Sequence, residues 1–157
     1  MRRINAFCST ILLALVAFGC APTVEVPEEL TVTLAPDKGY TGAAQGTAVI
    51  NTRLGTEITF NITGLDPAGL YTAFLVNPKS QMFEGLGAAP HVLPVDSNGA
   101  VSFTGKMKKD SYKRFVQLAV YANPGGKAIE NPVGVKAALG ELIKEKKPTL
   151  VLVGKLR

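Results

Sequence analysis

Glu57-Ile-Thr-Phe-Asn-Ile-Thr63 decides the fold class. Apolar and polar residues alternate without a break along this stretch, which is the period of a β-strand and not of a helix. Ile58, Phe60 and Ile62 fall on one face and point to a core. Thr59, Asn61 and Thr63 fall on the other and point to solvent. β-Branched and aromatic residues suit a pleated, half-buried surface.

Shorter stretches on either side repeat the theme. Leu30, Val32 and Leu34 alternate with threonines over 30–34. A second strand is expected over 46–53, before a turn at Leu54-Gly55-Thr56. The run 70–76 is apolar throughout, as a central strand buried on both faces would be. Residues 79–90 hold Gly85, Gly87 and Pro90 and read as irregular, with Met82, Phe83 and Leu86 folded over the core. Strand 91–95 contains Pro94 and so belongs at an edge. Asp96-Ser-Asn-Gly99 is a hairpin signal that should pair 91–95 with 100–104. Strands at 114–121 and 149–153 follow.

One segment differs. Asn131 and Pro132 suit an N-cap and a first helical position. Val135, Ala138, Leu139, Leu142 and Ile143 then recur at helical spacing, and Pro148 ends the run. The expectation is therefore all-β: an Ig-like antiparallel β-sandwich of about seven to eight strands with one C-terminal helix.

The N-terminus is of another kind. Arg2 and Arg3 precede the apolar run 11–18, which closes on Gly19-Cys20. A positive tip, a short apolar core and a small-residue cut site make a secretory signal rather than a spanning helix. Ala17-Phe18-Gly19-Cys20 resembles the lipobox of bacterial lipoproteins. That resemblance implies a signal peptide over 1–19, a diacylglyceryl thioether and an acylated amine on Cys20, palmitate among the acyl chains, and a place in the cell envelope. Ala21, where Asp would imply retention, implies the outer membrane. Residues 20–29 hold Pro22 and Pro27 and read as a short tether, which leaves 30–157 as the folded domain.

Loss of Cys8 with the signal and acylation of Cys20 would leave a domain without a free thiol. Thiol catalysis and cysteine metal sites are then out of reach. Residues 20–157 carry 15 basic and 12 acidic side chains, because Arg2 and Arg3 leave with the signal. This mild excess, in an exported chain, argues against nucleic acid as a partner.

Little else carries chemistry. His91 is the single histidine, too few for a zinc or copper site. There is no Gly-x-Ser-x-Gly elbow. Asp37, Asp66, Asp96 and Asp110 sit in turns, where aspartate bonds local amides. The stretch 46–76, with its Gly64-Leu65 turn, resembles the core hairpin of Ig-like sandwiches such as copper–zinc superoxide dismutase. The strand that bears metal-binding histidines in that enzyme reads Leu70-Tyr-Thr-Ala-Phe74 here. The resemblance thus implies a sandwich without the metal, and no cofactor is expected.

Lys106, Lys108, Lys109, Lys113 and Arg114 form the densest charge feature. Hairpin geometry would gather them at one end of the domain, offset locally by Asp110 alone, where they would suit an anionic lipid, glycan or protein. The function expected is that of a lipid-anchored, non-enzymatic envelope protein that binds or supports a partner. The alternatives are a hydrolase using paired carboxylates and an accessory subunit of an outer-membrane assembly.

Overall fold

The computed structural model describes residues 28–80, 82–126, 128 and 148–157. The signal segment, Cys20 and the helix expected after Asn131 lie outside the described residues.

The fold is all-β and antiparallel. Its strands are β1 (Glu29–Pro36), β2 (Gln45–Asn51), β3 (Glu57–Thr63), β4 (Tyr71–Asn77), β5 (Met82–Gly85), β6 (Val101–Lys106), β7 (Gln117–Ala122) and β8 (Thr149–Lys155). Among the described residues there is no α-helix, only two 3-10 turns, at Ser111–Arg114 and Pro124–Gly126.

The expectation of two separate sheets is corrected. The strands form one curled sheet, a half-barrel in the order β5-β4-β7-β8-β1-β2-β3-β6. The reason lies in β1, which pairs with two neighbours in succession. Its first part runs against β2 from Glu29 to Leu34, and its end, Ala35 and Pro36, turns to pair with Val153 and Leu152 of β8. One strand thereby joins β1-β2-β3-β6 to β5-β4-β7-β8, and the sheet curls over its own core. Gly154 allows the close crossing, since a Cβ there would meet the backbone oxygen of Thr33 at 2.8 Å.

The alternation at 57–63 places Ile58, Phe60 and Ile62 in the core at 0–1% exposure. They pack with Tyr71, Leu75, Leu118, Val120 and Leu152 from the other half. β4 is buried on both faces, as its composition requires. Tyr71, Ala73 and Leu75 face the main core. Phe74 and Val76 face outward into a second cluster with Ala119, Phe83, Tyr121 and Leu150.

Four local expectations are revised. Residues 82–85 are not irregular but form β5 on the edge of β4. Leu86 is buried beside it, while Met82 stands out at 39% exposure. Residues 91–95 form no strand, only a bridge from Val92 to Thr72. His91, at φ 64°, turns the chain out of the ladder. The turn at 96–99 does form, with Gly99 at φ 75° and Asp96 Oδ1 accepting the amides of Asn98 and Ala100, each at 2.8 Å. The strand after it pairs with β3 rather than with 91–95, because β3 presents a full-length partner. Finally, β7 begins at Gln117, after the 3-10 turn that sinks Phe115 into the main core.

A basic end at the chain's point of entry

The register of the strands sorts the loops onto two ends. Glu28, where the described chain begins, accepts the Thr52 amide through its carbonyl at 2.8 Å. Glu29 pairs with Asn51, Asn51 with Glu57, and Glu57 with Lys106. Loops 52–56 and 107–116 therefore sit side by side. Met107 N–H bonds Thr56 O at 3.0 Å, and Asp110 N–H bonds Gly55 O at 2.7 Å. The end of β8 arrives at the same place, where Leu156 N–H bonds Val116 O at 3.0 Å and Val116 N–H bonds Val76 O at 3.2 Å. Asn77 and Met82, paired across β4 and β5, complete the rim. We call this the entry end. The far end holds the turns at 37–40, 64–69, 96–99 and 123–126.

Charge divides the same way. Of the ten described basic residues, Lys38 alone lies at the far end. The entry end holds Arg53, Lys79, Lys106, Lys108, Lys109, Lys113, Arg114, Lys155 and Arg157, against Glu28, Glu29, Glu57, Glu84 and Asp110. The far end holds Asp37, Asp66 and Asp96. Among described residues, the domain is positive where the chain enters and negative opposite.

The five basic residues singled out from sequence are gathered here, but they are not equivalent. Lys106 is paired with Glu57. Lys113 meets Asp110 at 3.1 Å and lies over the Tyr112 ring. The Asp110 carboxylate, as hydrogen-bond partner, raises the Lys113 pKa. Arg114 meets Glu84 at 3.2 Å. Asp110 is thus not the sole offset, because Glu57 and Glu84 come in from strands distant in sequence. Lys108 and Lys109 are exposed and make no ion pair among the described residues. Arg53, Lys79, Lys155 and Arg157 are also exposed and without ion pairs there. No local sequence signal joins these four to the lysine run, since they come from the turn after β2, the turn after β4 and the end of β8.

The candidate carboxylates are occupied with structure. Asp37 Oδ2 accepts the Gly39 amide at 3.1 Å, and Asp66 Oδ1 accepts that of Ala68 at 2.9 Å. Asp96 holds its own turn, and Glu57, Glu84 and Asp110 are ion-paired. His91 packs edge-on against Phe74, at 5.9 Å between ring centroids, with Nδ1 at 3.2 Å from Gly87 O. No group of three or more His, Cys, Asp or Glu side chains suited to a metal occurs among the described residues.

A shallow depression of about 420 Å³ lies where β1 leaves β2, lined by Thr33, Pro36, Gln45, Thr47, Asn61 and Thr63 among others. It offers hydroxyls and amides but no charge. No described helix is long and apolar enough to cross a membrane. No protein family, no curated protein and no solved structure matches the chain.

Proposed function

We propose that this is a lipid-anchored protein of the bacterial envelope, attached through Cys20 to the outer membrane, whose domain acts by binding or structural interaction rather than by catalysis. The observation that carries this reading is the segment from Arg2 to Cys20, with its charged tip, short apolar core and lipobox. Two or three acyl chains on Cys20 are enough for stable anchoring, at about 0.8 kcal/mol per buried methylene.

The domain is consistent with such a role. Its buried apolar residues, among those described, run from Val32 to Leu152. The hydrolase alternative draws less support, because the turn aspartates are each engaged with their own amides or with a neighbouring cation.

The test is acylation. Cells fed labelled palmitate should incorporate it into the wild-type chain, which should fractionate with membranes. The Cys20→Ser chain should take up no label and be soluble or unprocessed. If Cys20→Ser stays with membranes through salt and carbonate washing, anchoring through Cys20 is wrong.

A further inference from the structure

We infer that the entry end is a membrane-docking face that seats the domain on the anionic lipid surface in which its own anchor is embedded. Three independent features meet there.

The first is unneutralised charge. Arg53, Lys79, Lys108, Lys109, Lys155 and Arg157 are exposed, and none has an ion-pair partner among the described residues. Lys106, Arg114 and Lys113 are already matched by Glu57, Glu84 and Asp110. Those left over come from four separate parts of the chain. Basic residues near anionic headgroups raise affinity by about fivefold each, a contribution that falls off within a Debye length.

The second is apolar exposure. Leu54, at 43%, and Met82, at 39%, are the exposed large hydrophobic residues among those described. Each alone would be unremarkable surface. Both lie on the rim of the entry end, Leu54 in the loop after β2 and Met82 at the start of β5. Cations beside short apolar tips suit the boundary between headgroups and acyl chains, where cations stay with phosphate and the tips reach past it.

The third is the route of the chain. Glu28 enters at this end, and seven residues separate it from Cys20. Fully extended, that connection reaches at most about 26–29 Å. An acylated Cys20 therefore holds the entry end near the bilayer. So short a tether sets a high effective concentration, and weak surface affinity is enough to fix orientation. This third point rests on the lipid-anchor reading, whereas the first two do not. With the entry end down, the turns bearing Asp66 and Asp96 face away from the membrane.

The chain has no tryptophan, so one introduced residue reports position. The experiment uses residues 20–157 carrying Cys20→Ser, which keeps every described core residue and removes the lipid. Leu54→Trp is compared with Ala68→Trp, a far-end control on an exposed turn. Both are titrated at low salt with vesicles of phosphatidylglycerol and phosphatidylethanolamine, and with vesicles of phosphatidylcholine. The expected result is a blue shift for Leu54→Trp with anionic vesicles only, and none for Ala68→Trp. Binding should fall about tenfold or more on Lys108→Glu with Lys109→Glu, and fade toward physiological salt.

Absence of binding, equal shifts at the two positions, or indifference to the charge reversal would overturn the docking face and return the end to contact with a protein partner. Circular dichroism of the reversed variant separates lost binding from lost fold. Because the protein is lipid-free, failure here leaves the Cys20 anchor untouched, and failure of palmitate labelling leaves this result standing.

Discussion

Arg114 Nη2 meets Glu84 Oε2 at 3.2 Å, and the other oxygen of that carboxylate accepts the Lys108 amide at 3.2 Å. One side chain on edge strand β5 thus holds both ends of the basic crossover between β6 and β7. Glu84 is 11% exposed, whereas Arg114 is 58% exposed. The amide bond should therefore matter more than the ion pair, which is screened at the arginine end. Glu84→Ala removes both contacts, and because the Lys108 amide is exposed and can turn to water, the cost should be about 0.5–1.5 kcal/mol. Glu84→Gln keeps an acceptor oxygen and should cost less than about 1 kcal/mol. Urea denaturation of the two variants separates the contributions, and equal losses would assign the effect to the ion pair instead.

Phe60 and Thr59 test the period of β3. Phe60 is fully buried, and its removal should cost about 3–5 kcal/mol through lost burial and the cavity left behind. Thr59 faces out and shares a hydroxyl hydrogen bond with Thr104 at 2.9 Å. That bond is exposed, so Thr59→Ala should cost less than about 1 kcal/mol. Similar losses at both positions would contradict the alternation.

Gly85 and His91 are a packing pair. A Cβ on Gly85 would run into the imidazole ring of His91, and that ring is wedged against Phe74. Gly85→Ala should destabilise by about 1–3 kcal/mol, as overpacking does. His91→Ala removes the obstacle, so the double variant should be less damaged than the sum of the two singles. Simple additivity in a thermal-unfolding cycle would mean that the ring moves aside freely.

Much of the strand content was legible because alternation is a local signal. It was clear at 57–63, and the apolar run in β4 gave burial on both faces. Pairing was less legible. Nothing local says that Val101–Lys106 will choose β3 over the residues just before its own turn, or that Ala35 and Pro36 will leave β2 for β8. Those choices depend on which partners have free edges once the sheet curls. The same limit applies to the basic end. The lysine run could be read directly, but Glu57, Glu84, Lys155 and Leu54 reach it through strand register. β5 was missed because four residues, Met82–Gly85, are too few to show a period.

Tyr121 gives a prediction for alkaline pH. Its hydroxyl is pushed up to about 12, first by burial and then by the negative charge of Asp37. Burial raises the phenol because the ionised form loses hydration. The folded value thus stands above the unfolded value of about 10, and the folded state holds this proton longer. The resulting stabilisation is fully present below pH ~10 and is lost as pH climbs from there toward 12, with a limiting slope of about 1.4 kcal/mol per pH unit. Tyr121→Phe keeps the ring that packs edge-on against Phe74 at 6.1 Å and removes the ionisable group. Stability measured by urea denaturation should therefore decline less steeply in the variant over this window. Some decline remains, because burial also raises Tyr71. In the wild type, the phenolate absorbance should show a component ionising near pH 12, and that component should be missing from Tyr121→Phe. Identical slopes and identical titrations would mean that the Tyr121 hydroxyl is open to water.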